Sequence, residues 1–492
     1  CPQKEISRGI SGVSIPYRDL NHCLPWSNRL TKAMGTSQTA AAMRVISSKT
    51  SSGAVSMTRY RSSAAWRSAS LMGMGASNAV ADAKGFTANS RGLYPITART
   101  PINPLASPVA PAEPAGDSSQ VGLGSPHSIM LQDTATDELL QKVWDGERIC
   151  PREARELWSL PLEELGALAD RRRRLAKAEA YDGRGNEIVT YIVDRNVNYT
   201  NVCNVYCTFC AFYRLEKDDD SYVITHEEMD RKIEETVALG GTQILMQGGH
   251  HPKLSKQWYL DLLSHIRNRW PQINIHAFSP SEFIHFQEVF DEPLDAIIRD
   301  FADAGLGSIP GGGGEILVDR VRKRISPLKA MSDDWMRVMD IAHKHGLKSS
   351  ATMMFGHVET LDERIEHFER VRAQQDETGG FTAFISWNFQ AENTRLKAPT
   401  TGANEYLKVQ ALSRIYLDNV DNIQSSWVTQ GLDIGQVALN YGANDLGSIM
   451  IEENVVSQAG ATYCMGVKDM RRLIEELGYE ARQRDNWYNL LN

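Results

Sequence analysis

The stretch NVCNVYCTFCAFYR, residues 201–214, sets Cys203, Cys207 and Cys210 in the order C-x3-C-x2-C, with Phe209 directly before the third cysteine. Three thiolates at this spacing can hold three irons of a [4Fe-4S] cluster. The fourth iron then lacks a protein ligand and can take a small molecule. Carriers with four cysteines close every iron, whereas an open position marks a catalytic centre. A structural zinc knuckle is the competing reading, but it would need a fourth Cys or His nearby, and the stretch has no second cysteine pair and no H-x3-5-H partner.

The motif resembles the signature of the radical S-adenosylmethionine (SAM) enzymes. The resemblance implies that the open iron chelates SAM, and that an electron from the cluster cleaves its sulfonium to a 5'-deoxyadenosyl radical. The cofactor then supplies the chemistry, and the protein orients it and excludes water.

Outward from the motif, the chain after Gly185 alternates β-rich runs with helical stretches. Candidate strands are VNYTNV (197–202), QILMQ (243–247), INIHAF (273–278), GLGSI (305–309), LKSSATMMF (347–355), TAFISWNF (382–389), NIQSSWV (422–428) and LGSIMI (446–451). Eight strands with intervening helices predict an α/β fold, a closed (β/α)8 TIM-type barrel over 186–492 with a C-terminal helix. Chemistry then belongs on the loops after the strands, where the cysteine motif already stands. Upstream, TDELLQKVWDGE (136–147) and PREARELWSLPLEELGALADRRRRLAKAEA (151–180) have acids early, bases late and apolar residues at helical spacing. They predict two helices within a cap over 129–185, with Arg171 to Arg174 as a solvated helix end.

Residues 1–128 read differently. Up to Ala112 the only acids are Glu5, Asp19 and Asp82, against thirteen Lys or Arg, and Ser, Ala and Gly recur without periodicity. Such a segment is expected to be a disordered extension that builds no core. An organelle transit peptide would share its Arg- and Ser-rich, acid-poor character. The reading preferred is a reading-frame extension outside the native enzyme, with Met130 as the true start, because the chain opens on Cys1.

The 492 residues carry a formal charge of -8, which argues against a nucleic-acid partner. Seven cysteines, three of them in the motif, give no disulfide framework and point to a reducing, cytoplasmic compartment. No apolar run reaches the ~18 residues of a membrane span.

Further site candidates follow the strand order. Phe209 is expected beside the SAM adenine. In QGGHHP, Gly248 and Gly249 let backbone approach a ligand closely, and the radical SAM resemblance assigns them the SAM amino group. His251 is the candidate for proton transfer or substrate contact, and a wall residue is the alternative. In IPGGGGEI, Gly311 to Gly314 offer bare amides for a carboxylate or ribose, with Glu315 for the ribose hydroxyls and Lys329 for the SAM carboxylate. TMMFGHVE is spaced like the adenine-contacting G-x-I-x-G-x-x-E element, with Thr352 in place of the first Gly and Gly356 and Glu359 retained. Trp387, Gln390, Asn393, Trp427 and Asn444 are expected as a polar and aromatic pocket floor for a neutral, hydroxylated, aromatic substrate, with barrel packing as the alternative for the tryptophans.

From about Met130 onward the chain resembles the menaquinone-pathway radical SAM family that also includes the deazaflavin-forming synthases. The wording YIVDRNVNYTNVCNVYCTFCAFYR, QGGHHP, SIPGGGGEILVDRVRKRISPLK, ATMMFGHVET, QDETGGFTAFI and GANDLGSIMIEENVV is most similar to that of the dehypoxanthine futalosine cyclases. That resemblance implies hydrogen abstraction from the ribose C4' of dehypoxanthine futalosine, closure of the carbon radical onto the benzoate ring, and loss of one electron and one proton. It also implies a low-potential donor such as flavodoxin or ferredoxin. Gly314, Ser386 and Ala391 depart from the family's usual Ala, Pro and Pro, and the two missing prolines loosen the loop after the sixth candidate strand. The rivals are aminofutalosine synthase, the deazaflavin synthase subunit, and a SAM- or Fe-S-binding protein without turnover, which would release no 5'-deoxyadenosine under dithionite.

Overall fold

The computed structural model describes residues 134–491; the expected extension 1–128 and Met130 lie outside them. Ten strands form one sheet in which every pairing is parallel: β1 (Ile188–Ile192), β2 (Asp194–Val197), β3 (Gln243–Met246), β4 (Asn274–Ala277), β5 (Ser308–Ile309), β6 (Lys348–Phe355), β7 (Phe381–Asn388), β8 (Ile423–Gln424), β9 (Asp445–Ser448) and β10 (Glu480–Gln483). β1 and β2 are halves of one run broken at Val193. The first half bonds to β9 and the second to β3, and the Ile451 amide reaches the Asp194 carbonyl at 3.3 Å. The ring therefore closes on eight positions. β10 pairs with β1 below the start of β3.

Parallel strands need crossovers, and helices supply them on the outside. Local chemistry fixes their ends. The helix Leu361–Thr378 starts with a capping box, in which Thr360 Oγ1 accepts from the Glu363 amide at 3.3 Å and Glu363 accepts from the Thr360 amide at 2.8 Å. It stops at Gly379, whose φ of 58° suits a left-handed cap. Tyr259, Phe278, Phe283, Phe286 and Phe301 are buried together between the sheet and these helices, many ring pairs meeting edge to face.

Three expectations need correction. The first strand lies at 188–197 and not at 197–202, because the charged pair Asp194-Arg195 masks it; Arg195 points outward to Glu235 and Asp194 turns inward. The second cap stretch is two helices, so that α1 (Thr134–Trp144), α2 (Pro151–Trp158) and α3 (Leu162–Ala176) replace the expected two; Pro161 breaks the run and caps α3. Within α3, Arg172 and Arg173 are buried, Arg172 on the Glu147 carbonyl and Arg173 on Asp170 and Tyr479, so only half of the arginine run is solvated. Among the described residues, no helix is long and apolar enough to cross a membrane.

The amino end of the barrel is filled by polar groups. Arg484, just after β10, grips Asp445 with two hydrogen bonds of 2.6 and 2.9 Å, and Thr190 Oγ1 donates to the same carboxylate at 2.5 Å. Asn486 reaches Ser308 at 3.0 Å, and His276, Asn274, Gln243 and Asp194 continue the chain across the interior. Residues 484–488 thus plug the barrel from below.

Candidate functional site

The cysteine loop leaves the carboxyl end of β2 and is tied shut at its neck. The Cys203 amide donates to the Arg214 carbonyl at 3.1 Å and the Arg214 amide to Asn201 at 2.8 Å. Midway, the amide and hydroxyl of Thr208 both donate to the Ile325 carbonyl, at 2.8 and 2.9 Å. All three thiols are free. Burial pushes the Cys207 thiol up to about 12, against the pull of the Lys329 ammonium, and raises Cys203 as well. Cys203 feels the charge of Cys210, and Cys207 that of both, so the sulfurs face a common region. Among the described residues no three His, Cys, Asp or Glu side chains gather tightly enough for a single metal ion. A soft, three-thiol donor set spread over a loop fits a polynuclear iron-sulfur group better than a mononuclear centre.

The Gly-Gly turn after β3 forms one wall. A Cβ on Gly249 would lie 2.2 Å from the Val202 carbonyl and 2.9 Å from Cys203 Cβ, and one on Gly248 would strike the Tyr199 ring at 2.6 Å. Both glycines let this turn lie against the cysteine loop. Glu282, which sequence reading missed, anchors them: its buried carboxyl accepts from the Gly248 amide at 3.0 Å, the Tyr199 hydroxyl at 2.8 Å and the Ser279 amide at 2.7 Å. Its only signal is the S-P-S-E capping pattern. Of the two histidines, the His251 ring accepts from the Lys253 amide at 3.1 Å beside Glu216. His250 is the one in the field of Lys329, packed on His285 at 4.9 Å, and burial holds it well below the ordinary range.

The glycine loop after β5 is the opposite wall, and its carbonyls are held. Fully buried Arg322 donates to Gly313 and Gly314 at 3.0 Å each and to Ala330 at 2.8 Å, Trp335 donates to Gly312 at 3.2 Å, and Thr352 Oγ1 donates to Gly311 at 2.7 Å. Arg322 lies in a basic run that gives no sign of this role. Burial works against the Glu315 charge, but Lys329 at 2.8 Å and Arg322 at 3.4 Å outweigh it and hold the carboxyl below its usual range. Lys329 in turn sits 5.4 Å over the Phe209 ring and within the field of Cys207. The structure therefore brings Cys203, Cys207, Cys210, Phe209, Gly248, Gly249, Glu315, Lys329 and Thr352 together.

Of the remaining candidates, Trp387 and Gln390 lie near the carboxyl end of β7, and the others lie apart or are committed elsewhere. The Glu359 carboxylate is covered and bound by the Gly356 amide at 2.6 Å, the His357 amide at 3.0 Å and Arg364 at 2.7 Å, and Gly356 has a φ of 87°. Trp387 is half-buried on β7, in register with Met354, while buried Trp427 donates to the Ser448 carbonyl at 2.9 Å. Gln390 folds onto the Asn388 carbonyl at 3.2 Å, and exposed Asn393 stitches to Gln458 at 3.0 Å. Asn444 stands at the amino end of β9, away from the cysteine loop, with its amide engaged by Arg414, Ile423 and Asn422. It is not part of a pocket floor on the catalytic face, because it precedes its strand.

The chain matches the Radical SAM superfamily over residues 197–371 and the CofH/MqnC C-terminal region over 378–492. It is similar to the cyclic dehypoxanthine futalosine synthase of Halalkalibacterium halodurans, at 44% identity over 72% of this chain and 95% of the relative. The protein of the same name from Streptomyces coelicolor is also 44% identical, over 74% of this chain and 90% of its own. The aminodeoxyfutalosine synthase of Thermus thermophilus is 33% identical over 73% and 96%. Among solved structures, the [FeFe]-hydrogenase maturase HydG aligns with a TM-score of 0.56 at 14% identity over 71% of this chain and 75% of that one. Methylornithine synthase gives 0.52 at 18% over 70% and 97%. At such identities the structural likeness is one of fold.

Proposed function

The chain belongs to the radical SAM family of the cyclic dehypoxanthine futalosine synthases, and we infer from this premise that it cyclises dehypoxanthine futalosine to cyclic dehypoxanthinyl futalosine in the futalosine route to menaquinone. The observation that carries the reading is the meeting of three free thiols, Phe209 and the Glu315–Lys329 pair between two glycine turns. Cys203, Cys207 and Cys210 would hold a [4Fe-4S] cluster, which with SAM supplies the electron and the deoxyadenosyl radical that takes the ribose C4' hydrogen.

The chain's own residues bind and orient. Glu315, kept ionised by two cations, has lone pairs left to accept ribose hydroxyls. Lys329 is placed between that carboxylate and the cysteine loop, where a ligand carboxylate could share its protons. Cys207 is buried while Cys203 and Cys210 are partly exposed, so the middle thiol is the one shielded from water. Trp387 and Gln390, near the carboxyl end of β7, are the candidates to hold the benzoate, and holding ring and C4' close is most of what cyclisation requires. The electron comes from a low-potential donor such as flavodoxin or ferredoxin.

The test is anaerobic reconstitution of the full chain with iron and sulfide, then incubation with SAM, dithionite and dehypoxanthine futalosine. A product lighter by two hydrogens, formed with 5'-deoxyadenosine, supports the cyclisation. Release of 5'-deoxyadenosine with unchanged substrate would overturn the substrate assignment.

A further inference from the structure

Strands of a parallel barrel are covered on both faces and show little alternation in exposure, and β1 and β2 show none. Later strands do alternate. Thr352, Ile385, Trp387, Gln424 and Ser448 are partly exposed, while the residue before each is buried. Register puts this set on the inner face. Thr352 pairs with Ile385, Ile385 with Gln424, and Gln424 with Asp445, whose carboxylate receives Arg484 of the plug. Side chains in one row of parallel strands share a face, so these residues line the barrel between the plug and the carboxyl ends of the strands.

Two carboxamides of this lining are uncommitted. The Gln424 side chain makes no hydrogen bond among the described residues, and it lies against Gly447, where a Cβ would come within 2.5 Å of its Nε2. Asn196 stands two residues beyond inward-facing Asp194 on β2. It is 7% exposed, and its Oδ1 has no partner among the described residues. β9 joins the two: Gly447 borders Gln424, and the next residue, Ser448, donates through Oγ to Asp194. Towards the plug, by contrast, the amides of Gln243, Asn274 and Asn486 are all bonded. A buried acceptor without a donor is costly, so the Asn196 oxygen marks a place where a ligand O–H or N–H belongs.

Charge narrows the class of ligand. The layer beneath holds Asp194 and Asp445 against one guanidinium, Arg484, which is already bound twice to Asp445. A phosphate or carboxylate pushed onto this floor would meet carboxylates and no uncommitted guanidinium. Neutral carboxamides both donate and accept, as sugar hydroxyls do.

We propose that Gln424 and Asn196 hold the hydroxyls of the substrate's sugar ring, and that this floor selects an uncharged polyhydroxyl end over a phosphorylated one. The inference rests on the cyclase reading. Trp387 stands two residues beyond Ile385 on the same inner face, so a sugar held at Gln424 brings its attached ring to Trp387, one layer nearer the carboxyl ends of the strands.

The experiment compares the reconstituted full chain with its Gln424→Met and Asn196→Leu forms, given SAM, dithionite and either dehypoxanthine futalosine or its 2'-deoxy and 3'-deoxy analogues. Each variant should raise KM about five- to tenfold and release more 5'-deoxyadenosine per cyclised product. One deoxy analogue should already suffer that loss with the parent and lose little more with the variant, because the missing hydrogen bond is the same one. Melting temperatures should stay within about 1 °C of the parent, since each change replaces an unmatched amide with an apolar side chain of similar size. Parent-like KM and coupling in both variants would overturn the inference and leave the cyclase reading intact. Variants that melt several degrees lower, with losses that simply add to those of the deoxy analogues, would show a structural role and overturn it as well. If Asn196→Leu does not fold, Gln424→Met carries the same comparison with the same outcomes. No cyclised product from the parent, with 5'-deoxyadenosine formed, would instead overturn the substrate reading, and the sugar assignment with it.

Discussion

Replacing Arg484 with Met should destabilise the barrel through a single buried carboxylate. Both partners of the pair are buried, with side-chain exposures of 6% for Arg484 and 0% for Asp445. Burial opposes the arginine charge, but Asp445 outweighs it and holds Arg484 above its ordinary range. Without the guanidinium, Asp445 keeps only Thr190 Oγ1 and the Gly447 amide as donors. Breaking a buried pair from one side costs about 3–5 kcal/mol. With about 2.1 cal/mol/K of unfolding entropy per residue, a body of roughly 360 residues loses ~0.75 kcal/mol per degree, so Tm should fall by about 4–7 °C. The assay is calorimetric melting of the full chain beside the double variant Arg484→Met/Asp445→Leu. Removal of both charges leaves no carboxylate stranded at position 445 and lifts its repulsion of Asp194, so the double variant should recover at least half of the loss. A single variant that melts within about 1 °C of the parent, or a double variant as unstable as the sum of its singles, would refute the reasoning.

Cys207→Ala should abolish both iron-sulfur uptake and SAM cleavage, measured as bound iron and 5'-deoxyadenosine; full cleavage in the variant would sink the cluster assignment. Gly249→Ala, with its new Cβ against the Val202 carbonyl and Cys203, should lower iron uptake several-fold, whereas Gly402→Ala, whose Cβ meets nothing within 4 Å, should not. Stability should fall in acid through two buried histidines. Burial lowers His276 and His367 to about 3, so between the unfolded value near 6.5 and that range the unfolded chain binds more protons. Each should cost about 2 kcal/mol by pH 5 relative to neutral pH. A Tm that stays level or rises between pH 7.5 and 5 would count against it, and His367→Gln should remove about half of the slope.

The cysteine motif was legible because all three thiols sit on one short loop, and the barrel was legible because most strands are short apolar runs separated by helical stretches, three of them with glycine in the turn that follows. What escaped depends on distance. β1 and β2 were hidden because Asp194 satisfies its charge on Gln243 and Ser448, groups far along the chain. Arg322 lies in a basic run and Glu282 in a capping pattern, and only the folded chain shows them holding the two glycine turns from behind. Asn444 was misplaced because it precedes its strand, at the end opposite the loops where the chemistry was expected. The adjacent His250 and His251 differ only in ring orientation, which a sequence does not specify.

The plug after β10 also orders events in time. Asp194, Asp445 and the interior amides face one another from the moment β9 is in place, yet their neutralising arginine lies some forty residues further along. During synthesis the eight-position ring would hold unmatched carboxylates until residues 480–488 leave the ribosome. A chain cut before Arg484 would therefore bury the Asp445 carboxylate without its guanidinium, so the last strand and the turn after it complete the barrel's interior rather than decorate its end.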